Sequence, residues 1–219
     1  PTAPDVRDNV VYAGFMGGGG LDVTVTDDGW LSSGHVAVGS DGAAYLSGQT
    51  TSREDTFPDG DGLGDLPTFD GTYNGGSWDA YVVKVRPDGT GFAYAGFLGG
   101  SAYDDGKGMA IGADGTAYVT GDTASDDFPV RGGPDLTANG RLDATVAAVA
   151  PDGRSLVFAG YLGGDDDEQG QAVAEALRQG ELVERRGIGR SRQVLARVGP
   201  IGHRPSLTRG SNSACSRSD

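Results

Sequence analysis

The chain has 219 residues, enough for one or two ordinary domains, and 40 of them are glycine against 17 aromatic side chains (8 Tyr, 7 Phe, 2 Trp). With 37% apolar residues it can still bury a core, so the composition describes a turn-rich folded chain rather than a disordered one. Thirty-one acidic against 17 basic side chains give a net charge of −14, which repels phosphate backbones and anionic membrane surfaces and excludes nucleic acid as an expected partner.

In chain order, residues 1–10 read as a lead-in with neither a basic n-region nor an apolar h-region, so a mature or partial chain is expected. No run approaches the roughly 18–20 apolar residues of a spanning helix, so no membrane span is expected. A repeat then begins. Ala13-Gly14-Phe15-Met16-Gly17-Gly18 returns as Ala95-Gly96-Phe97-Leu98-Gly99-Gly100 and again as Ala159-Gly160-Tyr161-Leu162-Gly163-Gly164. The first two copies lie 82 residues apart and the last two 64 apart. Surplus residues between Leu21 and Ser33 and between Asp59 and Asp70 account for the difference, and both surpluses fall where turns are expected.

A strand is predicted at Val36-Ala37-Val38, preceded by His35, which stands where the next unit has Gly108. The phrase Asp41-Gly42-Ala43-Ala44-Tyr45-Leu46-Ser47-Gly48 returns as Asp114-Gly115-Thr116-Ala117-Tyr118-Val119-Thr120-Gly121, and Phe57-Pro58 as Phe128-Pro129. The insertion Asp59-Gly60-Asp61-Gly62-Leu63-Gly64-Asp65 sets carboxylates at alternating positions among glycines, which lets a loop wrap oxygen ligands around calcium; Asp59, Asp61 and Asp65 are the candidate ligands. An EF-hand pattern is incomplete, with Leu63 at the fifth place, and a solvated Asp/Gly-rich insertion reads the same residues without a metal.

The third phrase runs from Asp79 through Val85 to Pro87-Asp88-Gly89 and returns from Asp143 through Val149 to Pro151-Asp152-Gly153. Each Pro-Asp-Gly sets φ at proline and closes on a permissive glycine, the chemistry of a tight turn between strands. In the best-preserved unit the four predicted strands are Asp143 to Val149, Ser155 to Tyr161, Met109 to Ile111 and Thr116 to Thr120. Four short antiparallel strands per unit, small and apolar on both faces, predict an all-β fold of stacked blades, a partial β-propeller. Asn139-Gly140 repeats Asn74-Gly75 ahead of Asp143 and Asp79 and reads as turn chemistry.

These phrases in fixed order, Gly-Phe-Leu-Gly-Gly, Asp-Gly-Thr-Ala-Tyr-Val-Thr-Gly-Asp-Thr, Asp-Phe-Pro, Thr-Tyr-Asn-Gly-Gly-Ser-Trp-Asp-Ala-Tyr-Val-Val-Lys and Pro-Asp-Gly, resemble the SBBP family of bacterial β-propeller repeats over residues 11–174. The resemblance implies blades of a large exported or cell-surface bacterial protein, with no catalytic residue assigned to the repeat. The chain departs from that family in carrying about two and a half units, whereas a closed propeller takes four to eight blades, so further blades or self-association are expected to cover open faces.

Repeat identity stops at Ala174. Up to that residue there are 27 acidic and 8 basic side chains; from Glu175 to Asp219 there are 4 acidic residues and 9 arginines. The 175–219 tail reads as GC-rich DNA translated out of frame, or as a genuine basic tail whose stretch from Gln171 to Arg186 forms a short helix with Ala172, Ala176 and Val183 inward. Two histidines, His35 and His203, and one cysteine, Cys215, supply neither a triad nor a tetrahedral zinc site. Asp104-Asp105 and Asp165-Asp166-Asp167-Glu168 follow the Gly-Gly phrase in repeating loops, which favours a structural or ion-binding role over paired catalytic carboxylates. Trp78 and Tyr73 could stack on a sugar, although Leu142 replaces Trp78 in the next unit. The expected function is a non-enzymatic scaffold for protein or glycan contact, the competing reading a piece of a carbohydrate-active propeller whose catalytic residues lie elsewhere.

Overall fold

The computed structural model describes residues 15–23, 35–175, 183–185 and 192–198, and every regular element among them is a β-strand. The first sheet holds β1 (Asp22–Val23), β2 (His35–Val38), β3 (Ala44–Thr50), β4 (Asp79–Val85) and β5 (Phe92–Leu98). The second holds β6 (Asp104–Ile111), β7 (Ala117–Thr123), β8 (Asp143–Val149) and β9 (Leu156–Leu162), in chain order and antiparallel throughout. The third contains β10 (Glu168–Glu175), β11 (Val183–Arg185) and β12 (Arg192–Val198).

The two complete sheets are copies. Asp22 pairs with Thr50 as Asp104 pairs with Thr123, and His35 pairs with Ser47 as Gly108 pairs with Thr120. β1 and β2 therefore lie end to end along β3 as one interrupted counterpart of β6. The interruption falls where β6 carries a bulge between Gly106 and Gly108, so the Leu21 to Ser33 surplus enters at a point where pairing is already broken.

The predicted turns are present. Gly89 and Gly153 adopt φ of 69° and 70°, and their N–H groups donate to Arg86 O and Ala150 O at 2.9 Å each. Asp88 and Asp152 accept from the N–H groups two residues on, at 3.0 Å each, which fixes both turns. β8 has the predicted bounds. β6 does not: expected from Met109, it starts at Asp104, because the polar Asp-Asp-Gly-Lys-Gly run is held by buried partners that apolar alternation cannot reveal.

The sheets stack face to face. Tyr45, Ala80, Val82 and Tyr94 of the first share one buried core with Ala117, Val119, Ala147 and Val149 of the second. Each such fully buried valine contributes about 1.5–3 kcal/mol through its removal from water. The far face of the second sheet, with Tyr118, Val146 and Ala148, is packed against Val173 of β10. The far face of the first gathers Phe57, Leu63, Tyr81, Val83, Ala95 and Phe97. Glycine permits the close approach: a Cβ on Gly170 of β10 would lie 2.6 Å from Gly121 O of β7. The outer edges are covered as well, since Ala95 and Phe97 of β5 donate to Pro67 O and Asp70 O, and Ala159 and Arg131 exchange backbone bonds beside β9.

β10 repeats β6, with Glu168 at the place of Asp104, and corrects the helical expectation for the stretch starting at Gln171. It then departs from the pattern by pairing parallel with β12. Ala176 and the lead-in lie outside the described residues. No helix of the described residues is long and apolar enough to cross a membrane.

Candidate functional site

The polar chemistry of the described residues is concentrated where the first strand of each unit begins. Asp104 opens β6 fully buried, and its Oδ2 accepts from Gly100 N at 2.8 Å and Ser125 Oγ at 2.8 Å, while Oδ1 accepts from Thr123 Oγ1 at 2.5 Å. Ser125 N in turn donates to Thr123 Oγ1 at 2.9 Å. Asp22 repeats the arrangement: Oδ2 accepts from Gly18 N at 2.7 Å and Ser52 Oγ at 3.0 Å, and Oδ1 from Thr50 Oγ1 at 2.5 Å. At the start of β10, Glu168 Oε2 accepts from Gly164 N at 2.8 Å, and Oε1, without the Thr and Ser partners, is buried with no hydrogen bond. Hydrogen bonds to a buried carboxylate are the stronger class, so each complete latch ties the Gly-Gly connection to the next sheet.

A second carboxylate sits beside each latch. Asp79 accepts from Asn74 N at 2.7 Å and Asp143 from Asn139 N at 3.0 Å; each asparagine amide also donates to an aspartate four residues earlier, Asp70 or Asp135. The other oxygens, Asp79 Oδ1 and Asp143 Oδ1, are buried and unpaired. Burial pushes the Asp79 carboxyl up to about 7; Asn74 opposes the rise, and the charges of Asp104 and Asp70 add to it. Asp104 is likewise raised by burial, against the pull of Thr123, Gly100 and Ser125.

One cluster is not repeated. Lys107, on the β6 bulge, lies 2.5 Å from Asp122 Oδ1 and 3.9 Å from Asp105 Oδ2, and Tyr103 Oη donates to Asp105 Oδ2 at 3.0 Å. Burial raises Asp122 to about 6 in spite of the lysine. In the first sheet the matching places hold Leu21, Val23 and Gln49, and Gln49 is buried with its amide unpaired.

The residues singled out in the sequence are placed as follows. Asp59, Asp61 and Asp65 are exposed, and Asp59 Oδ1 accepts from Asp61 N at 3.2 Å in a local turn. Leu63, between them, is buried in the core on the first sheet's far face, with Leu66 packed against it. Among the described residues no three His, Cys, Asp or Glu side chains gather as a metal group. Asp104 and Asp105 are strand residues rather than loop residues, while Asp167 pairs with Arg141 at 2.9 Å on the surface. Tyr73 is packed edge-on to Phe97 with the Arg53 guanidinium over its ring, and Trp78 bridges to Tyr103 at the junction of the sheets. His35 is a ladder residue of β2. His203 and Cys215 lie outside the described residues.

The latch partners carry a sequence signal of their own, since Gly48-Gln49-Thr50-Thr51-Ser52 and Gly121-Asp122-Thr123-Ala124-Ser125 share Gly-x-Thr-x-Ser. The Lys107 cluster carries no such signal, because it occurs once. No protein-family model and no curated protein matches the chain.

Proposed function

We propose that the chain is a non-catalytic repeat module, propeller blades of an exported or cell-surface bacterial protein that serve as a rigid scaffold for protein or glycan contact. The observation that carries this reading is the duplicated latch. Asp22 and Asp104 spend both oxygens on the same Gly, Thr and Ser partners in successive units, which is how a scaffold uses carboxylates and not how a unique active centre does. The likeness of the repeated phrases to SBBP repeats supports the cellular setting.

An enzymatic reading that places the chemistry within this chain, rather than elsewhere as expected above, draws on one observation, the unrepeated Tyr103, Asp105, Lys107 and Asp122 cluster with two carboxylates and a lysine in contact. The experiment that separates the two is incubation of the chain with a panel of bacterial polysaccharides, measuring retention on immobilised glycan and release of reducing ends. The expected outcome is no release. Release by the parent chain that disappears in Asp105→Asn and Asp122→Asn, with the fold kept, establishes the enzyme reading instead.

A further inference from the structure

Three ionisable side chains of the second sheet meet in one buried place. Asp105 and Asp122 are direct ladder partners on β6 and β7, so their carboxyls share a face. Lys107 falls in the β6 bulge between Gly106 and Gly108 and has no ladder partner of its own. Its Nζ reaches to 2.5 Å from Asp122 Oδ1 and 3.9 Å from Asp105 Oδ2. The site is nearly sealed, with side-chain exposures of 12% for Lys107, 0% for Asp105 and 1% for Asp122.

The other units show that the fold does not need these charges. Sixty-four residues on, Gln169 and Gln171 hold the places of Asp105 and Lys107, and Gln171 Nε2 donates to Gln169 Oε1 at 3.2 Å. In the first sheet Val23 and Gln49 hold the places of Asp105 and Asp122. Neutral side chains therefore serve the packing, and a buried ion pair is a costly substitute for them while both members stay charged. Burial raises Asp122 to about 6 in spite of the lysine, which brings its neutral carboxyl within reach at ordinary pH. A buried lysine that has given up its proton is a nucleophile, and fixed contact with one carboxyl supplies the orientation that condensation in free solution lacks.

We propose that Lys107 and Asp122 condense into an intramolecular amide that staples β6 to β7, with Asp105 carrying the proton. The ammonium proton first passes to the Asp122 carboxylate, leaving an amine beside a carboxylic acid. The Nζ lone pair then attacks Asp122 Cγ. Asp105 takes one proton from the nitrogen of the tetrahedral intermediate and delivers it to the departing hydroxyl; the Cγ–O bond breaks and one water leaves. Nothing is oxidised or reduced, and no co-reactant enters. Tyr103 Oη, donating to Asp105 Oδ2 at 3.0 Å, holds the carrier in place. The product removes two charges from the interior and closes a covalent ring through the β6–β7 turn, which restricts the unfolded chain as a disulfide does. An unrepeated cluster of enzyme-like composition in a scaffold thus acts once, on its own chain.

The test is the intact mass of the 219-residue chain, with its fold checked by circular dichroism. The expected mass is one water below that of the sequence, and digestion yields a branched peptide joining Lys107 to Asp122. Lys107→Arg, which keeps the charge without a condensing amine, has the full mass and a Tm lower by about 5 °C or more. If that variant does not fold, Lys107→Gln, the residue of the third unit, carries the same expectation. Asp122→Asn still joins, with ammonia released in place of water, and Asp105→Asn slows joining by about a hundredfold or more. A folded parent chain that keeps the full sequence mass after days at neutral pH overturns the proposal. So does a lost water that persists in Lys107→Arg, or one that hydroxylamine removes, because it then belongs to a succinimide at an Asp-Gly sequence such as Asp41-Gly42 or Asp114-Gly115. The mass reports on the bond whether or not the chain binds or cleaves a glycan, so this proposal and the module reading fail separately.

Discussion

Asp79 sits at 0% exposure with one oxygen on Asn74 N and the other unpaired, and that single carboxyl sets a pH dependence for the fold. Its folded value, about 7, lies above the ordinary 3.8, so between those limits the folded state binds more protons than the unfolded state. Stability therefore falls as pH rises through this window, and Asp122, raised to about 6, acts in the same sense. Asp41, Asp88 and Asp127 are held below the usual range by hydrogen bonds from Lys84, Thr90 and Ser101 respectively, and they lose their contribution only in more acid solution, below that window. The expected outcome is a higher Tm at pH 5 than at pH 8. Asp79→Asn, which keeps the shape and removes the charge, should gain roughly 1–3 kcal/mol at pH 8 and flatten the profile in urea titrations at the two pH values. A profile unchanged by Asp79→Asn would place the titration elsewhere.

At the scale of the element, turns and strand ends divide what the sequence discloses from what it hides. Pro-Asp-Gly announced both β4–β5 and β8–β9 turns because proline and glycine fix backbone angles locally. The start of β6 was invisible because Asp104 and Asp105 belong to a strand only by virtue of Thr123, Ser125, Tyr103 and Lys107, residues distant in sequence or mute in hydropathy. The Asp59 to Asp65 loop is legible as an insertion, but a single apolar residue among acids and glycines carries no periodicity, so the sequence does not mark Leu63 as the residue that anchors the loop in the core. Glycines in these turns divide by surroundings. Gly153 has φ of 70° and a Cβ there would stand 2.5 Å from Tyr94 Cδ1 in the neighbouring sheet, whereas Gly60 has φ of 97° with open space around it. Gly60→Ala should cost about 1 kcal/mol, the backbone term alone, and Gly153→Ala roughly 2–4 kcal/mol, backbone plus the displaced ring, in chemical denaturation. Equal costs would mean that the Tyr94 contact yields freely.

For the whole molecule, the sequence disclosed the repeat, the all-β class and the antiparallel four-strand unit, since copies of a phrase align whatever their environment. It did not disclose how the third unit ends, because β10 pairs parallel with β12 across a stretch with no counterpart in the other units. Translating the encoding DNA beyond the Ala174 codon in the other frames is expected to recover a Gly-Ala-Asp-Gly turn followed by Ala-Tyr-Val-Thr-Gly. If neither frame does, the Arg-rich tail is the native continuation of β10. The bulge at Lys107 has a wider meaning when set beside the gap between β1 and β2. Both lie on the same rung of the ladder, and one unit holds a single extra residue there while in the other the sequence from 24 to 34 separates the paired residues Val23 and His35. The rungs on either side keep their partners in both. That rung is thus a splice point at which the architecture separates length from register: descendants of this unit can lengthen there and acquire new surface while the strands around it keep count.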